Sequence, residues 1–66
     1  MENRLAKLRK EKGLTQQELA DILKVSRQSI IAIEAGKFNP SVILAIKISR
    51  LFKTAVDEIF IYRDEK

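Results

Sequence analysis

The sequence predicts an all-α domain of five short helices, finished by a short C-terminal β-strand. Three observations carry that expectation. Thr15-Gln16-Gln17-Glu18 has the form of a capping box, in which the threonine hydroxyl accepts from the Glu18 amide while the Glu18 carboxylate accepts from the Thr15 amide. Ser26 is a good N-cap, and only Lys24-Val25 separates it from the helix before. From Val42 to Phe52 the chain is apolar almost all round a helix, as expected of an element that others pack against.

Taken in order, Arg4 to Lys12 reads as the first helix, with Leu5 and Leu8 at apolar spacing and Gly13 placed to end it. Lys7, Lys10 and Lys12 read as its solvated face. The second helix starts at Gln16, with Leu19, Ala20, Leu23 and then Val25 as its apolar stripe; Asp21 lies on the outer face. At about two turns it is too short to stand without packing. In the third helix Ile30 and Ile33 share one face, leaving Arg27, Gln28, Ile31 and Ala32 on the others. Helices joined by so few residues must cross steeply, so Gln16 to Glu34 reads as a helix-turn-helix whose second helix opens on polar side chains.

Gly36 is expected to end the third helix, with Lys37-Phe38-Asn39 as the following loop and Phe38 packing rather than stacking on a base. Asn39 is expected to cap the fourth helix, with Pro40 at its first position. Val42, Ile43, Leu44, Ala45, Ile46, Ile48, Leu51 and Phe52 make that helix a central support buried on more than one side and a candidate subunit contact; Lys47, Arg50 and Lys53 mark its wet edge. Thr54 looks like the cap of a single-turn fifth helix ending near Phe60. Asp57 and Glu58 then sit in its first turn, where the helix dipole favours them, and read as capping charges rather than an acid/base pair.

Ile59-Phe60-Ile61-Tyr62 is β-prone and is followed by the charged tail Arg63 to Lys66. A lone strand needs a partner. The simplest is the same segment of a second chain about a two-fold axis; the other reading folds it back on its own core. The dimerisation segment is set at about 56–63, with Val56, Ile59, Phe60, Ile61 and Tyr62 as interface residues.

Sixty-six residues allow one domain, 1–66, with a core small enough for oligomerisation to help and no room for a separate sensor. Thirteen Lys and Arg against nine Asp and Glu give +4, which favours a polyanionic partner. There is no cysteine and no histidine, so thiolate chemistry and the commonest metal ligand and general base are missing. No catalytic residue, metal, cofactor or small-molecule ligand is expected. MENRLAKLRK lacks the apolar core of a secretory signal and no apolar run approaches membrane-spanning length, so a cytoplasmic, membrane-free protein is expected.

Gln16, Glu18-Leu19-Ala20, Val25-Ser26, Ser29-Ile30, Ile33-Glu34, Gly36 and Asn39-Pro40-Ser41 together resemble the Cro/C1-type, or XRE, helix-turn-helix regulators, over roughly Leu5 to Phe60. The resemblance implies a five-helix, lambda-repressor-like DNA-binding domain of the short single-domain kind. It makes Ala20 the small residue at which the two helices touch and pairs Arg9 with Glu34 as a mainly structural ion pair that also turns Arg9 towards a phosphate. Lys24 departs from the family's usual glycine at a left-handed turn position, at a cost of about 1 kcal/mol.

In such a fold the third helix enters the major groove of double-stranded DNA. Arg27 and Gln28 are then the base readers, arginine for guanine and glutamine for adenine, with Ile31 and Ala32 meeting thymine methyl groups. Gln16 is the implied phosphate ligand; Ser26, Ser29, Lys37 and Asn39 are further backbone candidates. The implied protein is a homodimeric transcriptional regulator, a repressor on a palindromic operator. Two alternatives stand beside it: an antitoxin or restriction-modification controller, and a protein-interaction adaptor with a vestigial DNA surface.

Overall fold

The capping box forms as drawn: the Glu18 amide donates to Thr15 Oγ1 at 3.0 Å, and the Thr15 amide donates to Glu18 Oε1 at 2.9 Å. The computed structural model describes residues 2–62, in the order β1 (Glu2–Asn3), α1 (Leu5–Glu11), α2 (Gln16–Leu23), α3 (Arg27–Glu34), α4 (Val42–Phe52), α5 (Val56–Ile59) and β2 (Phe60–Ile61). The charged tail Arg63 to Lys66, with the last residue of the 56–63 segment, lies outside the described residues.

The first four helices end the same way. After α1, the Leu14 amide donates to the Arg9 carbonyl and the Gly13 amide to the Lys10 carbonyl, the paired bonds of a Schellman ending. After α3, Lys37 bonds back to Ala32 and Gly36 to Ile33 in the same pattern. Gly13 and Gly36 supply the positive φ these endings need, at 73° and 77°. After α2 and α4 the same left-handed position is held by lysine: Lys24 at φ 61° and Lys53 at φ 52°. The turn in the helix-turn-helix is therefore closed by Lys24, with the Val25 amide donating to the Ala20 carbonyl.

One core results. Leu5, Leu19, Ala20, Leu23, Ile30, Ile33, Leu44, Ile48, Ile59 and Phe60 are buried together, and Leu8, Leu14, Val25, Leu51 and Phe52 pack at its margin. Ala20 is fully buried in α2, the helix against which α3 packs most extensively, where a larger side chain would push the pair apart.

Four expectations are corrected. Ser41, not Asn39, caps α4: its hydroxyl accepts from the Leu44 amide at 3.1 Å, and Pro40 precedes the helix rather than opening it. Ser41 holds the extended backbone of a cap, at φ −64° and ψ 165°, and stands three residues before the amide it caps. Thr54 does not cap α5, which starts from Ala55 without a side-chain cap. The Thr54 hydroxyl instead donates to the Phe52 carbonyl at 2.9 Å, and the Ser49 hydroxyl donates to the Thr54 carbonyl at 2.7 Å, so both side chains serve the exit from α4.

Helix α4 buries only Leu44 and Ile48 outright; Val42, Ile43 and Ile46 are exposed, so burial is one-sided in this chain. The C-terminal strand, finally, finds its partner within the chain. β2 pairs antiparallel with β1, Glu2 opposite Ile61 and Asn3 opposite Phe60, and the Arg4 amide donates to the Ile59 carbonyl at 2.8 Å. Pairing within the chain buries Ile59 and Phe60 in its core; Val56 and Tyr62 stay exposed and Ile61 is half-buried.

Candidate nucleic-acid interface

Helix α3 owes its position to its two ends. At the start, Ser26 Oγ accepts from the Ser29 amide at 3.1 Å, with the two hydroxyls 3.0 Å apart. At the other end, Glu34 Oε2 accepts from Arg9 Nε at 2.6 Å and Oε1 from Arg9 Nη2 at 3.3 Å, a two-pronged arginine-carboxylate pair. Arg9 Nη1 donates to the Leu14 carbonyl at 2.8 Å, and Gln16 Nε2 to Glu34 Oε1 at 3.1 Å. The Asn3 side chain completes the frame, donating to the Ile33 carbonyl at 2.8 Å while its oxygen accepts from the Leu5 amide.

Arg9 and Glu34 are thus brought together, with side chains 10% and 8% exposed. Each of the three guanidinium nitrogens makes one of these bonds, the open carbonyl of Leu14 at the end of α1 taking the nitrogen that the carboxylate leaves. Gln16 sits at the first position of α2 with one amide hydrogen held by Glu34, which fixes its side chain and leaves the second hydrogen for another acceptor.

The outward face of α3 is made by the helical period. Ile30 and Ile33 point into the core, and Arg27, Gln28, Ile31 and Ala32 occupy roughly 140° of arc on the far side. Arg27, Gln28 and Ile31 are exposed and Ala32 is half-buried. Gly36 turns the chain so that Lys37, Phe38 and Asn39 follow α3, all three exposed. Phe38, expected to pack, is 51% exposed. With Ser26, Gln28, Ser29 and Ala32 it lines an open recess of about 250 Å³ along one flank of the α3 face. Its exposure was not legible in the sequence, because a single phenylalanine in a loop has no periodicity to place it.

A fold of two short helices packed together across a tight turn, the second opening outward on Arg27 and Gln28 from a fixed seat, defines the helix-turn-helix class of DNA-binding transcription regulators. The chain belongs to the helix-turn-helix family of XRE type: the family model matches residues 5–59. It is similar to an uncharacterised HTH-type transcriptional regulator of Methanocaldococcus jannaschii, 50% identical over 66 residues and the whole of both chains. One from Archaeoglobus fulgidus is 42% identical over 66 residues, all of this chain and 94% of the relative. Among solved structures it is similar to the restriction-modification controller protein C.AhdI from Aeromonas hydrophila, with a TM-score of 0.75 and 32% identity over 86% of each chain. No helix among the described residues is long and apolar enough to cross a membrane.

Proposed function

We propose that the chain is a sequence-specific regulator that binds as a homodimer to an inverted repeat, and represses by covering a promoter. The observation that carries this reading is the divided surface of α3, with Ile30 and Ile33 fully buried and Arg27 and Gln28 presented outward at the start of the helix. Arg27 is suited to guanine O6 and N7 and Gln28 to adenine N6 and N7, while Ile31 and Ala32 offer apolar contact to thymine. Gln16, Ser26, Ser29, Lys37 and Asn39 supply donors to phosphates on either side, which set register rather than sequence.

A second copy is the natural occupant of the exposed apolar stripe of α4. Val42 and Ile43, 76% and 69% exposed, share that side of the helix with Ile46, and Lys47 and Arg50 flank it. Val56, Ile61 and Tyr62 remain as further contacts from the C-terminal segment. A dimer through these surfaces would place two α3 helices on half-sites about one turn, ~34 Å, apart.

Selection of bound duplexes from a random pool at physiological salt tests the reading. An inverted-repeat motif is expected; the absence of any preferred sequence, with weak binding that salt abolishes, would leave only phosphate attraction and favour a protein partner on α4. The likeness to a restriction-modification controller favours one second reading, in which the operator lies beside a methylase gene.

A further inference from the structure

Phe38 is the one phenylalanine of the chain set out in a loop with half its surface in water, where Phe60 is buried and Phe52 packs at the core margin. It does not stand alone. Phe38 and Ala32 line the same recess, whose remaining lining is Gln28, Ser26 and Ser29. The recess therefore has an apolar part, formed by Phe38 and Ala32, set directly beside Gln28, which the proposed function makes a base reader.

We infer that Phe38 is a specificity-determining residue, and that the recess between it and Ala32 receives the 5-methyl group of a thymine next to the base read by Gln28. This rests on the proposed function and extends the reading surface from α3 into the loop behind it. The occupant follows from what the major groove offers. Of the four bases only thymine presents an apolar group there, and the other edges offer donors and acceptors that an aromatic ring and a methyl group cannot satisfy. The recess is continuous with the α3 face through Gln28 and Ala32, so a base edge reached by one is within reach of the other. At about 250 Å³ and open to solvent, it has room for the edge of a base.

The loop that carries Phe38 is tied to α3 on one side. Gly36 at φ 77° and the Lys37 amide bonded to the Ala32 carbonyl at 3.0 Å bring the loop back against the last turn of α3. Phe38 follows immediately, so its position relative to Ala32 is set by the same helix ending that sets Lys37.

The test replaces each thymine of the selected operator, one at a time, by deoxyuridine, which removes the methyl group and nothing else. Binding is measured for the wild type, Phe38→Ala and Phe38→Gln. For the wild type, the thymine next to the base read by Gln28 in each half-site is expected to lose about fourfold in affinity on replacement, the worth of one methyl-sized contact. In Phe38→Ala that penalty disappears, while penalties at thymines facing Ile31 are unchanged. Phe38→Gln keeps the length of the side chain without its apolar surface and is expected to behave as Phe38→Ala does, which retains the test should the alanine variant fold poorly. Equal deoxyuridine penalties in all three proteins, with the operator motif intact, overturn the assignment of Phe38 alone. Failure of the wild type to select any motif overturns the proposed function and this inference with it.

Discussion

Arg9 holds a permanent charge where only a tenth of its side chain meets solvent, so its three internal bonds are needed to make burial tolerable. Arg9→Ala would leave the Glu34 carboxylate buried and unpaired, and is expected to destabilise the chain by about 3 kcal/mol in urea unfolding. Because Glu34 also holds Gln16, the same change should loosen the Gln16 side chain and weaken DNA binding beyond the loss of folded protein. Lys24 makes the opposite case. Its left-handed backbone costs about 1 kcal/mol, and a glycine there would give back about half of that through its freer unfolded chain. Lys24→Gly is therefore expected to gain about 0.5 kcal/mol, read as a small rise in urea midpoint at constant slope. The positive φ at Lys24 was legible only through the family resemblance, which puts a left-handed residue at that turn position. That at Lys53 was not, since nothing in Phe52-Lys53-Thr54 distinguishes a left-handed lysine from the last residue of a helix.

At the scale of the elements, the caps decide where helices begin. Thr15→Ala should cost about 1 kcal/mol, since it removes half of a formed capping box. Ser41→Ala should cost a similar amount and Asn39→Ala almost nothing. Equal losses at 39 and 41 in thermal unfolding would contradict the assignment of the cap to Ser41. The helices α1 to α3 were readable because their signals are local: a capping box, a serine cap, a glycine after the last turn, and isoleucines spaced for one face. The start of α4 was ambiguous because Asn39 and Ser41 are both good caps and stand two residues apart, and only the loop geometry after Gly36 chooses between them. Asn3 was not legible at all. Its bonds to the Ile33 carbonyl and the Leu5 amide tie the N-terminal strand to two helices, and a contact across thirty residues leaves no local pattern.

At the scale of the whole molecule, the same limit explains the C-terminal strand. Its need for a partner could be read from Ile59-Phe60-Ile61-Tyr62, but the partner Glu2-Asn3 carries no strand signal of its own. With Ile59 and Phe60 buried within the chain, the proposed dimer is expected to draw on the exposed α4 stripe. Ile43→Lys, at an exposed position, should change the stability of the single chain by less than about 0.5 kcal/mol. It should nevertheless weaken self-association in sedimentation and lower operator affinity. Unchanged association would remove α4 from the interface.

The candidate DNA face was readable as residue types at positions, whereas the recess beside it was not, because it joins α3 to a loop that no periodicity predicts. The most direct test of the central claim repeats the duplex selection with Arg27→Ala and Gln28→Ala. If α3 reads base edges, each variant keeps the inverted repeat but loses its preference at one symmetric pair of positions, worth ~1–3 kcal/mol in discrimination. A motif unchanged in both variants, or an affinity lowered evenly for every sequence, would contradict it.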